Sequence, residues 1–100
     1  MDTALIREKV RFSPDGPVKV AIADTDGRRC LLFCLEQGQS TGLSRAEGTV
    51  ALLVVEGEGF FMGDNDAEEG VVTGRLALYD SEETYGMKAT GRFVVLAVLS

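Results

Sequence analysis

The chain has 100 residues, enough for one small core that buries roughly two-thirds of the surface its unfolded form exposes. Hydrophobic residues make up 45% of it, too many for disorder, and a net charge of −6 from 10 basic and 16 acidic residues argues against nucleic acid or an anionic membrane surface as partners. There is no histidine, which excludes any Ser-His-Asp triad, Cys-His pair or histidine-based metal site within one chain.

Met1-Asp2-Thr3 lacks the basic and apolar stretches of a signal peptide, and the longest apolar run, Phe93 to Leu99, is far short of the roughly 18 residues of a membrane helix. The expectation is a cytoplasmic protein. No segment sustains a 3.6-residue apolar period, so little or no helix is expected. Short β-rich runs punctuated by glycine and acidic turns predict strands near 5–12, 17–23, 29–36, 49–56, 59–62, 70–73, 76–79, 84–89 and 92–99.

In the first run Arg7, Lys9 and Arg11 alternate with Ile6, Glu8, Val10 and Phe12. This pattern fits a charged edge strand, or equally a strand added to a partner subunit's sheet. Ser13-Pro14-Asp15-Gly16-Pro17 predicts a turn and Asp26-Gly27 a hairpin. Cys30 and Cys34 lie four apart on one strand, about 13 Å at ~3.3 Å per residue, beyond the reach of a disulfide, and read as small buried hydrophobes in a reducing compartment. Cys30–Leu35, Val50–Val55 and Phe93–Leu99 are apolar on both faces. One face suits the inside of a barrel; the other needs a second sheet, the N-terminal strand or another subunit, and in so short a chain the economical answer is a subunit interface, so a homodimer is expected.

Between the later strands, Asp64-Asn65-Asp66-Ala67-Glu68-Glu69 opens like a calcium loop but has Glu69 where glycine is needed and Arg75 where the closing glutamate belongs, which favours a solvated acidic turn. Gly57-x-Gly59-x-x-x-Gly63 misses the dinucleotide-binding spacing by one.

The stretch from Leu35 to Gly59 resembles the first motif of the cupins: Gly38 and Gly57 stand at its glycine positions, Ser44 and Ala46 at its histidines and Val50 at its glutamate. From Gly74 to Leu99 the chain resembles the second motif, with Asp80 and Glu82 at the proline and glycine positions, Tyr85 at the histidine and Ala89 at the asparagine. The resemblance covers the chain from about Cys30 onward. It implies an all-β, cupin-like jelly-roll barrel (a double-stranded β-helix) filling residues 1–100 as one domain. Within it, 1–29 supplies the N-terminal strands and hairpin, with a role in forming the dimer, and 30–100 the barrel with degenerate motifs. All four metal-ligand positions are replaced, so the family's metal is not carried over and no cofactor and no catalytic residue is expected.

Strand alternation from these positions puts Ser44, Ala46, Val50, Leu52, Tyr85 and Met87 in the barrel interior. They either fill it, with Tyr85 bonded to a partner such as Ser44, or line a pocket for a small molecule. Catalysis by Tyr85 would need a cation beside it, such as Arg45 or Arg92, and nothing in the sequence places either there. The expected role is a metal-free, non-catalytic barrel that binds a small molecule or serves as an accessory module. The alternative is a small cupin-type isomerase or oxygenase with atypical metal ligands or metal-free chemistry.

Overall fold

A computed structural model describes every residue except Asp2. The expected strand at 5–12 is not one: Ile6–Glu8 forms a single 3-10 turn, and the chain enters a sheet only at Val18. Its apolar residues serve another purpose. Ile6, Val10 and Phe12 lie on the outside of the barrel against Leu32, Cys34 and Val94, while Arg7, Lys9 and Arg11 face water. The alternation that resembled a strand is thus a strap with one side on the sheet. Gln39 ties it down by accepting from the Glu36 amide at 2.8 Å and donating to the Ser13 carbonyl at 2.7 Å.

The strands are β1 (Val18–Thr25), β2 (Arg28–Leu35), β3 (Ser40–Arg45), β4 (Val50–Met62), β5 (Glu68–Val72), β6 (Leu76–Tyr79) and β7 (Thr84–Leu99), all pairing antiparallel. Strand β3 was not expected, because Ser40-Thr41-Gly42-Leu43-Ser44-Arg45 has one large apolar residue and a glycine in its middle. Conversely, the runs expected at 49–56 and 59–62 fuse into β4, and those at 84–89 and 92–99 into β7.

These two long strands build the barrel. The first half of β4 pairs with β6 and its second half with β5; the first half of β7 pairs with β3 and its second half with β2. Two sheets result, β1-β2-β7-β4-β6 and β3-β7-β4-β5, sharing β4 and β7. The ladder between them shifts register at Val54/Glu56 and again at Gly57/Gly59. Glycine is required there: Gly57 has φ +99°, and a side chain on it would strike the Arg92 carbonyl, while one on Gly59 would strike the Lys88 carbonyl and the Phe93 ring.

Period two then decides what is buried. Val50, Leu52 and Val54 point inward, and after the shift the inward phase passes to Phe61. On β7, Met87, Ala89, Phe93, Val95 and Ala97 stay in one phase and meet Leu31 and Leu35 of β2 inside. The other phase of the first sheet faces out. Over β1 and β2 the N-terminal strap covers it, but over β4 and β6 it is bare, with Leu76 54% and Leu78 75% exposed beside Ala51 and Leu53. No helix among the described residues is long and apolar enough to cross a membrane.

Candidate ligand-binding site

A cavity of about 390 Å³ opens at one end of the barrel, with Val50, Tyr85 and Leu99 as its apolar floor. Its wall includes the guanidinium-bearing Arg28, Arg29 and Arg45, together with Asp24 and Glu47. The ladders explain this grouping. Arg29 sits opposite Asp24 on β1 and opposite Leu99 on β7, in the inward phase of β2 with Leu31. Arg45 ends β3 and pairs with the Glu82 carboxylate at 2.9 Å, both side chains being well exposed. The loop after β3 is pinned by the Ala46 amide donating to the Glu83 carbonyl and the Ala46 carbonyl accepting from the Glu82 amide, both at 2.8 Å. Among the described residues neither Arg28 nor Arg29 has a carboxylate within ion-pair distance, and the Tyr85 hydroxyl has no hydrogen-bond partner.

Of the expected interior residues, Val50 and Tyr85 line this cavity. Ala46, Leu52 and Met87 are inside but buried in the packed core below it. Ser44 is a correction: register sets it across from Tyr85, yet it is exposed, because β3 pairs only with β7 and nothing packs over its free side. The expected hydrogen bond from a buried tyrosine belongs to a different pair. Tyr79 donates its hydroxyl to the Met62 carbonyl at 2.9 Å and stacks, tilted, on Tyr85 with ring centroids 5.8 Å apart. Burial, with the carboxylates of Glu83 and Glu69 adding to it, pushes the Tyr79 phenol up to about 12. Of the two candidate cations, Arg45 lines the cavity with Tyr85, whereas Arg92 is held elsewhere by Glu36 at 2.8 Å over the Phe12 ring. Arg28, Arg29 and Leu99 were missed as site residues; only the Asp26-Gly27 hairpin signal hinted that two arginines would be carried to a strand end.

A second cavity, of about 370 Å³, lies beyond Tyr79 between Phe61 and Ala77 and is rimmed by Asp64, Glu68, Glu69 and Glu83. Asp64 accepts from the Thr84 hydroxyl at 2.6 Å and the Thr84 amide at 2.9 Å, bonds that hold its carboxyl below the usual range. That carboxylate therefore serves the turn. The two thiols are likewise structural: burial raises both, Cys34 lying under the strap and Cys30 half-buried.

The positions that would carry the cupin metal do not fit one. Ser44, Ala46, Val50 and Tyr85 offer an alcohol, two hydrocarbon groups and a phenol, where a divalent ion needs imidazole, thiolate or several carboxylates.

No protein-family model matches the chain, and no curated protein matches its sequence. Solved structures do. An RmlC-like cupin protein from Desulfovibrio desulfuricans is 26% identical and superposes with a TM-score of 0.91, over 98% of this chain and 94% of that one. A conserved protein with a double-stranded β-helix domain from Klebsiella pneumoniae is 18% identical with a TM-score of 0.90, over 98% and 88%. A salicylate 1,2-dioxygenase from Pseudoaminobacter salicylatoxidans is similar at 18% identity and a TM-score of 0.76, over 83% of this chain and 25% of that one. The chain therefore has the cupin fold, a small double-stranded β-helix.

Proposed function

We propose that this chain is a metal-free, non-catalytic cupin-like barrel that binds a small molecule at the Tyr85 mouth and acts as a homodimer in the cytoplasm. One observation carries the binding reading: a cavity of about 390 Å³, within the range of small-molecule sites, joins an apolar floor to a few polar groups without partners. The residue types at the metal positions support the metal-free reading, and two unpaired cysteines support a reducing compartment. The dimer reading is supported by the bare part of the outer sheet. Ala51, Leu53, Leu76, Leu78 and Val98 bear no charge in a chain of net charge −6, so a second copy can meet it there without repulsion.

Native mass spectrometry with elemental analysis of the same sample tests the metal-free and dimer readings. A metal-free dimer, alone or with a co-purified organic mass, is expected. A stoichiometric metal overturns the metal-free reading, and a monomer overturns the dimer. In the Ala51→Asp variant the dimer should fall to monomer with the fold intact by circular dichroism, because a carboxylate would be buried at the contact.

A further inference from the structure

We infer that the ligand of this mouth is a small organic monoanion, a carboxylate on an apolar or ring-shaped body. The inference rests on the reading of the mouth as a binding site and adds the chemistry of the occupant. Three of the chain's ten cationic residues, Arg28, Arg29 and Arg45, stand around one cavity in a protein whose overall charge is negative. Two of them have no carboxylate partner among the described residues. The third is paired with Glu82 on an exposed rim, where such a bond contributes little and can be exchanged for a ligand's carboxylate.

Arginine suits this task because its planar fork matches a carboxylate bidentately and stays charged at every physiological pH. With Glu82, which holds Arg45, three carboxylates (Asp24, Glu47 and Glu82) stand against the three guanidiniums, and among the described residues Arg28 and Arg29 are the two that no ion pair engages. Two free forks on a rim with no surplus positive charge suit a single carboxylate and penalise the second charge of a phosphate monoester. Below the rim, Val50, Leu99 and the Tyr85 ring present apolar surface for a body, with the phenol free to bond a substituent. The second cavity is the internal contrast: its lining carries four carboxylates and no arginine, so the guanidiniums are a property of this mouth and not of the barrel.

The test is calorimetric titration with matched probes: benzoate against benzamide, hexanoate against hexanamide, and phenyl phosphate. The acids should bind at least tenfold more tightly than their amides and than phenyl phosphate, and should weaken as salt is raised. Arg29→Gln should lose about tenfold for the acids and nothing for the amides, while Arg75→Gln, away from the mouth, should change neither. Circular dichroism confirms that each variant is folded, and Arg28→Gln repeats the test from the turn. Amides that bind as well as acids would overturn the anion and leave the binding site standing. Preference for phenyl phosphate would overturn the carboxylate. No binding by any probe would overturn this inference together with the site it rests on.

Discussion

Tyr79 and Tyr85 stack on each other, yet they do opposite work. Tyr79 is 8% exposed, its hydroxyl is spent on the Met62 carbonyl, and its phenol is pushed up to about 12. Tyr85 is half-buried, and among the described residues its hydroxyl is spent on nothing. Behind Tyr79 lies a cavity ringed by carboxylates; before Tyr85 lies one whose rim sets three guanidiniums beside the carboxylates of Asp24 and Glu47. The two rings close off one shared core from two mouths, one that carries arginines and one that does not. What the pair teaches is a division of labour in this barrel: strand periodicity makes the common apolar interior, and the turns and strand ends decide what each mouth can attract.

The strongest way to break the comparison is to remove what the mouths share. Phe93 is fully buried, packs on Phe61 at 6.2 Å between centroids, and stands where β4 and β7 cross. Phe93→Ala should cost about 3–5 kcal/mol in urea unfolding, since the rigid surroundings cannot close the hole. A loss below 1 kcal/mol would mean the interior is not packed as described. Next in size is Tyr79→Phe, which leaves the Met62 carbonyl without its donor and should cost about 1 kcal/mol. The same variant should abolish the tyrosinate absorbance step near pH 12. The sign follows from linkage. Folding raises this phenol above its ordinary value, so Tyr79's contribution is complete below about pH 10 and is lost as pH rises toward 12. If the step near 12 persists in Tyr79→Phe, the assignment of roles is reversed.

Tyr85→Phe sharpens the comparison from the other side. Its hydroxyl has no partner to lose, so stability should stay within about 0.5 kcal/mol of the parent. Affinity for ring carboxylates that bear a hydrogen-bonding substituent should fall by a few-fold, while benzoate itself is held unchanged. A stability loss as large as that of Tyr79→Phe would show that Tyr85 too is a structural residue.

How much of this was legible follows from the same division. The doubly apolar strands announced a barrel interior and an outer face in need of cover, which the N-terminal strap supplies over β1 and β2, and the glycine spacing from Gly38 to Gly57 announced the cupin turns. Val50 and Tyr85 reached the mouth because the motif positions counted from Gly38 and Gly74 fall near the ends of β4 and β7 that form it. Periodicity failed where backbone geometry intervened. Gly57 and Gly59 fell at the break between two expected strands, but they mark where one strand passes between sheets, so the runs at 49–56 and 59–62 became one. Ile6, Val10 and Phe12 read as a strand because a strap lying on a sheet needs the same alternation of apolar and polar residues. The arginines of the mouth were invisible for a different reason: Arg28, Arg29 and Arg45 are brought together only by the β1–β2 and β3–β7 registers, and no local pattern encodes that meeting.

The smallest expected effect concerns the acidic mouth. Asp64 takes two bonds from Thr84, one from its hydroxyl and one from its amide, and these lower its pKa from the ordinary value. For a group lowered on folding, the contribution is fully present above the ordinary carboxylate range and is lost as pH falls through the folded value. Thermal stability should therefore decline as pH drops below about 4, and Asp64→Asn should flatten part of that decline while slightly lowering the melting temperature at neutral pH. Proton NMR of the Thr84 amide offers a local readout, since its shift should titrate with Asp64 and stop doing so in the variant. An amide that titrates equally in both proteins would assign the proton to another carboxylate of the rim, and Asp64 would then be one more solvated charge around the second cavity.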